Sequence, residues 1–574
     1  MSAPEHVSRP GPHGTDLGTR SRVGPKALLE TPNRVAVALH VGITRWSAPA
    51  WGAICATATF IAITCWWLTQ DRAIPIYDAG HHLEVAFEFH SMLQAGNLLG
   101  PLTQVSVYPP FGHLVGALAV FVGGVNVASP IIGENLVFVP LLALGVYQTG
   151  RLLFNRQAGM LAVLFVLSSP LLISLFHVFM LDAPLTALVA VAVWLILASE
   201  DFARPEVAAA AGVAVGLGLN IKAQLPLFLA GLVVAVLIHG GWRNRRGFAS
   251  FCTAAVVVGS PWYIAHFSEL GTLLEVAGTS VNVAPAGNIP PTFSTANLLW
   301  YFWNVLNSQL LLALFVLAVG GTLWTVVAVI RSRDRRGLRL EFLAGGFVAW
   351  LVSTFVTAHH DIRYGLPLLV YLAIIGTGWI VSLPRTARIA AIVLLALGVS
   401  ANTIGVDFGV GREVKLALAS PLPSTEQLPA RIVLYSTVGF LAGAPSRDGD
   451  VPGLLDALHR EGVHTLSWSI EQSQLAEFSY EGLLALARIA QLTPAVTESP
   501  GFANSAGVAT LLHQPIAANG PPPCTRLSNS SGVLVEPVSP HTGVWVVRYD
   551  PAARKLAFYC PTRRPQYYGI GVIR

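Results

Sequence analysis

From about residue 48 to about residue 405 the chain is a succession of apolar stretches separated by short polar links. Each stretch approaches the roughly 20 residues that a helix needs to cross a hydrocarbon core. The pattern predicts spanning helices over 48–69, 130–150, 157–176, 183–199, 206–221, 224–239, 248–267, 299–330, 341–357, 364–382 and 389–406, about eleven crossings. The stretch 111–125 is the exception. Fifteen residues at about 1.5 Å each reach about 22 Å, short of a core of about 30 Å, and Gly123-Gly124 ends it. It is expected as a re-entrant or partly inserted helix. Between these elements, the run beginning at His81 mixes apolar Leu83, Val85, Ala86, Phe89 and Leu93 with Glu84, Glu88, His90 and Gln94, the signature of an amphipathic helix lying in the interface.

From about Asp407 the pattern turns polar. The segments 430–435, 452–460, 463–468 and 479–491 read as strand, helix, strand and helix, with further strands near 544–549 and 556–559, which suits a small α/β domain. The organisation expected is a tail over 1–45, an α-helical polytopic domain over 46–406 with its first extracytoplasmic loop at 70–110, and an extracytoplasmic α/β domain over 407–574.

Composition agrees: 53% of residues are hydrophobic and 11% charged, with mean hydropathy +0.60, against roughly 25% charged in soluble domains. The net charge of +5 raises nucleic acid as a partner. The basic residues instead cluster in links such as Arg243, Arg245 and Arg246, or Arg331, Arg333, Arg335, Arg336 and Arg339, with no basic stripe interleaved with aromatics, so no nucleic-acid partner is expected. These clusters mark cytoplasmic loops. With the N-terminus inside, eleven crossings leave every such loop cytoplasmic. Residues 1–45 lack a compact apolar core and a cleavage pattern, and read as a disordered cytoplasmic tail. Of the five cysteines, only Cys524 and Cys560 share a region where a disulfide is sensible, the alternative being two thiols.

This topology collects the ionisable groups on the extracytoplasmic face. Asp78 follows the first span in Tyr77-Asp78-Ala79-Gly80-His81-His82, with Glu84 behind it. A carboxylate at the membrane edge is placed to take a proton from a hydroxyl, unless it is only a solvated loop acid. Adjacent His81 and His82 diverge by about 100° on a helix, so both cannot easily join Asp78 on one metal. Tyr108-Pro109-Pro110 either punctuates a helix start or touches the substrate. Asp182 opens a helix in Asp182-Ala183-Pro184, as an N-cap or as a second carboxylate. Lys222, a cation outside, needs an anion: a lipid phosphate suits it, and snorkelling to a headgroup is the alternative. Arg363 in His359-His360-Asp361-Ile362-Arg363-Tyr364 either grips a phosphate with two bonds or pairs with Asp361. Gly212 and Gly216 suit close helix packing.

In order and spacing, Tyr77-Asp78, Tyr108-Pro109-Pro110, the stretch from Ser169-Pro170 to Asp182-Ala183-Pro184-Leu185, Gly218 to Lys222, Ser260-Pro261-Trp262-Tyr263 and Arg363-Tyr364-Gly365-Leu366-Pro367 resemble the GT-C glycosyltransferases. The resemblance covers roughly residues 48–400 and points to the branch of protein O-mannosyltransferases and bacterial lipid A aminoarabinose transferases. It implies inverting transfer of a sugar from a polyprenyl-phosphate donor to an extracytoplasmic glycan, lipid or protein acceptor at the cytoplasmic membrane. Asp78 matches the family's first-loop aspartate, the general base, and Lys222 and Arg363 would hold the donor phosphate. His81, His82, Glu84, Tyr108, Asp182, His360 and Tyr364 would surround the substrate. The family motif often continues with a second acid where this chain has Ala79, so no cofactor is fixed and a divalent metal stays open. A transporter or lipid flippase is the competing class: it accounts for the spans but not for charges gathered on one side.

The topology has a direct check. In a variant lacking the native cysteines, Asp456→Cys is expected to react with a membrane-impermeant maleimide added to intact cells, whereas Arg245→Cys is expected to react only after the membrane is opened.

Overall fold

In hydrocarbon every backbone N–H and C=O must be paired within the chain, so apolar stretches of this length fold as helices. The computed structural model describes residues 47–549 except 76, 105–107, 272–289, 292, 333–336, 357–359, 420–430, 440–441, 447–450, 461, 469–479, 493–495, 499–507, 514–532 and 538–543. Among the described residues, six helices are long and apolar enough to cross a membrane. They are α1 (Ala48–Gln70), α4 (Ala128–Leu153), α10 (Arg245–Ala265), α11 (Thr295–Asn304) running on into α12 (Leu311–Ser332), α13 (Leu338–Val356) and α15 (Arg385–Phe408). Large apolar side chains on α10 and α15, such as Val257, Ile264 and Leu397, are more than 60% exposed. Lipid is the solvent that tolerates such a surface. The protein is integral to a membrane.

The stretch 157–176, expected as one span, is broken. Helices α5 (Arg156–Leu167) and α6 (Pro170–His177) meet at 63°, because Pro170 cannot continue a helix and the Ser169 hydroxyl instead accepts the Leu172 amide at 3.4 Å. Shorter apolar helices complete the bundle: α3 (Phe111–Gly123), α7 (Asp182–Ala198), α8 (Pro205–Leu219), α9 (Leu225–His239) and α14 (Leu368–Gly378). Eleven crossings are reached only by adding the broken pair and all of these except α3 to the six long helices. The span expected over 299–330 also departs from regularity. A π-helical turn at Val305–Leu310 separates α11 from α12, and Leu311 takes φ 54°. That turn presents Asn307, whose Oδ1 accepts the Val433 amide at 2.8 Å, while Asn304 donates to the Ile362 carbonyl at 3.0 Å.

The amphipathic helix, α2 (Tyr77–Gln94), is more deeply covered than an interfacial helix needs to be. Leu83, Ala86 and Phe87 pack with Val120 of α3 and with Ala485 of a C-terminal helix. Beyond α15 lie an antiparallel ribbon, β1 (Val414–Ala419) with β2 (Arg431–Tyr435), and a mixed five-stranded sheet. The sheet runs β4 (Val496–Glu498), β3 (Thr465–Trp468), β5 (Val508–His513), β7 (Val544–Tyr549) and β6 (Val533–Pro537) in order across its width. β3 is parallel to β4 and β5, and β7 is antiparallel to β5 and β6. Helices α16 (Val451–Arg460) and α17 (Tyr480–Ile489) accompany it. Leu556–Tyr559, Cys524 and Cys560 lie outside the described residues.

Two glycines set the approach of α8 to α10. A Cβ on Gly212 would sit 2.2 Å from the Phe251 carbonyl oxygen, and one on Gly216 would sit 2.7 Å from Val258 Cβ. The small surface lets the two helices touch along their backbones, as membrane helices without a hydrophobic driving force require. Gly212→Val is expected to force the helices apart and to lower stability by about 1–3 kcal/mol, read as a fall in the thermal unfolding midpoint of the detergent-solubilised protein.

Candidate active site

The polar side chains at one end of the bundle form a single cluster. Tyr77 opens α2 with φ 48°, a left-handed conformation that costs a non-glycine residue about 1–3 kcal/mol and is commonest at functional sites. Asp78, in the first turn, accepts a hydrogen bond at Oδ2 from Arg363 Nη1 at 2.8 Å. Arg363 lies in the loop entering α14 and is held from the other side by Asp361: Nη2 to Oδ2 at 2.6 Å, Nε to Oδ1 at 3.0 Å, and its own amide to Oδ1 at 2.9 Å. The Asp78 side chain is 48% exposed whereas that of Asp361 is 1% exposed. Asp361 is therefore the structural partner of the guanidinium, and Asp78 is its open one.

Forty residues apart in sequence, Asp182 at the start of α7 and Lys222 after α8 meet at 2.8 Å, both buried. The N-cap position of α7 is held by Leu181, not by Asp182, and the Asp182 carboxylate makes the ion pair instead. The Lys222 amine also lies 5.5 Å from the centre of the Tyr108 ring and 5.8 Å from that of Tyr364, where the π-faces supply further attraction. Tyr364 adjoins Arg363, so the two ion pairs are neighbours.

His82, one turn beyond Asp78, points inward. Its Nδ1 stands 3.0 Å from His113 Nε2, and its ring packs 5.0 Å from Tyr108. His81 lies beside them, its ring centre 5.6 Å from that of His82. Two expected members are elsewhere. Glu84 accepts from Arg488 of α17 at 3.3 Å, so it joins α2 to the C-terminal domain. His360 is buried, with Nε2 2.5 Å from Asn297 Oδ1 and its ring edge-on to Trp300, and pins the Arg363 loop to α11. Sequence reasoning also missed two groups. His113 in α3 and Glu134 in α4 are fully buried ionisable residues within apolar helices, itself a functional flag that their neighbourhood in the sequence carries.

Burial governs the electrostatics. It pulls the Lys222 amine down, but the Asp182 carboxylate and Tyr108 outweigh it, and the group stands above its ordinary pKa. Burial likewise opposes the charge on Arg363, and Asp361 more than compensates; Asp361 in turn is held below the usual carboxylate range by Arg363 despite its burial. Burial pushes Tyr108 and Tyr364 up. It pushes His82 well down, helped by His113, His81, Lys222 and Arg363, so the imidazole is neutral at physiological pH. The cluster thus sets three carboxylates against two permanent cations. Among the described residues no three His, Cys, Asp or Glu side chains are grouped to hold a metal ion, so the open question of a divalent metal finds no ligand set there.

The ion pair has a measurable consequence. Lys222→Ala leaves Asp182 buried without its cation and is expected to cost about 3–5 kcal/mol, whereas Lys222→Met combined with Asp182→Leu recovers most of that loss, as read from unfolding of each variant in detergent.

Comparison with known proteins bears on the same segment. The sequence model of the family described as dolichyl-phosphate-mannose-protein mannosyltransferase matches residues 107–264, which carry Tyr108, His113, Asp182 and Lys222. No curated protein matches the chain. Among solved structures, ArnT from Cupriavidus metallidurans bound to undecaprenyl phosphate is similar with a TM-score of 0.46 and 17% identity, over 61% of this chain and 64% of that one. The apo state of the same protein gives 0.44 and 16%, over 67% of each. The chain thus spans slightly under two thirds of the length of the first. The family match falls on the segment that builds half of the cluster.

Proposed function

We propose that the protein transfers a sugar from a polyprenyl-phosphate-linked donor to an extracytoplasmic acceptor, with inversion and with Asp78 as the general base. The observation that carries this reading is Asp78 itself: the exposed acid in an otherwise buried ionic cluster, bonded to Arg363 and one turn of helix from the histidines. The acceptor hydroxyl gives its proton to Asp78 while its oxygen bonds to the anomeric carbon. The bond from that carbon to the phosphate oxygen breaks on the opposite face, and its electron pair stays on the phosphate. Lys222 and Arg363 attract that growing charge, an interaction that is strong where water is excluded.

Two further features support the reading. An apolar cavity of about 580 Å³, lined by Phe302, Val305, Trp350, Leu368 and Tyr371 among others, opens between α12, α13 and α14, and suits an isoprenoid chain. At the opposite end of the bundle Arg339 donates to the Leu153 carbonyl at 3.0 Å and covers the Phe154 ring. The arginine-rich links therefore belong to the end away from Asp78, and by the positive-inside rule this supports reading the cluster, with the C-terminal domain, as facing the extracytoplasmic side of the cytoplasmic membrane.

In proteoliposomes supplied with a polyprenyl-phosphate sugar and acceptor, Asp78→Asn is expected to lower the transfer rate by about 10²–10⁴-fold with donor binding retained. Turnover at the native rate removes Asp78 as the base.

A further inference from the structure

The charge balance of the cluster poses a problem for any anionic ligand. Lys222 and Arg363 are the permanent cations, and Asp182, Asp361 and Asp78 already engage them. A phosphate arriving there meets cations that carboxylates already engage. A buried site does not accept a second negative charge unless a positive one enters with it.

We propose that the buried His82–His113 pair supplies this missing charge, taking up one proton as the donor phosphate binds between Lys222 and Arg363. The inference rests on the donor assignment made above and adds a second role for the same site. The geometry favours it in two respects. The two rings share one contact, Nδ1 of His82 to Nε2 of His113 at 3.0 Å, and both are at most 1% exposed. One of these nitrogens donates and the other accepts, and either pairing of tautomers leaves one further ring nitrogen with a lone pair that a proton can occupy. Once there, the charge spreads over two imidazoles through one charge-assisted hydrogen bond.

The groups facing the pair set the direction of the effect. They are His81 on α2, Tyr108 in the following loop, Lys222 after α8 and Arg363 before α14, with Asp78 and Asp182 behind Tyr108. Burial is what chiefly keeps His82 neutral in the empty site, and His113, His81, Lys222 and Arg363 add to it. An anion bound to Lys222 and Arg363 offsets their part, so proton affinity rises on binding. By linkage, affinity for the anion then rises as pH falls through the window in which the proton is taken up, by at most tenfold per pH unit for one proton. The same positive charge stands ready when the phosphate leaves with an added negative charge.

The test is calorimetric titration of the detergent-solubilised protein with a polyprenyl methyl phosphate diester, which has no proton of its own to lose near neutral pH. Titrations at pH 6 to 7 in two buffers of different ionisation enthalpy give the protons taken up per ligand bound. About one is expected for the native protein, near zero for His82→Gln, and less than native for His113→Gln. Binding by the native protein without uptake overturns the inference and leaves the donor assignment standing, as does uptake unchanged in both variants. If the diester does not bind at all, the donor assignment fails and this inference with it. The native measurement decides the matter even if a variant does not fold.

Discussion

Arg363 is the residue on which the arrangement turns. A guanidinium buried to this depth is sustained only by carboxylates that repay its lost hydration, and it takes them from two directions. Asp361, two residues away, fixes the loop before α14 in one shape through four hydrogen bonds. Asp78 comes from nearly three hundred residues earlier and is drawn to the same cation. One electrostatic demand therefore joins the first loop of the membrane domain to a late one. The parallel pair of Lys222 and Asp182 does the same for α7 and α8. The Tyr108 and Tyr364 rings, both in contact with the lysine, make the two pairs one cluster.

Much of this was legible in the sequence because the bilayer imposes a period and a length. The apolar stretches coincide with the helices of the bundle, and 111–125 stands out by length alone as too short for a span, as the 13-residue α3 is. What the pattern could not show was where a helix breaks: Ser169-Pro170 reads as punctuation within an apolar run, yet it turns the chain by 63°. The π turn at Val305–Leu310 has no signature in hydropathy at all, since its cause lies in partners on other elements, Ile362 and Val433.

The cluster divides in the same way. Asp78, Asp182, Lys222 and Arg363 stood out because charges at helix mouths are scarce, and all four meet. For Arg363 the sequence offered a phosphate grip or a pair with Asp361; the pair is present, and Asp78 shares it. Glu84 and His360 were named on proximity in sequence, which a helix does not respect: Glu84 leaves the Asp78 face and meets Arg488, and His360 turns to Asn297. His113 went unnoticed because a single imidazole within an apolar helix acquires meaning only when its partner is known.

The segment bearing Asp78 is tethered to the C-terminal domain at its start and at its middle. At its start the Trp67 indole donates to the Gly443 carbonyl, and Asp71 accepts the Ser446 amide at 2.8 Å; at its middle Glu84 meets Arg488. Any rocking of that domain is transmitted as a displacement of the Asp78 carboxylate relative to the membrane helices. The domain is in this sense a handle on the ionic cluster, and under the proposed function a molecule that seats on it would also move the acid.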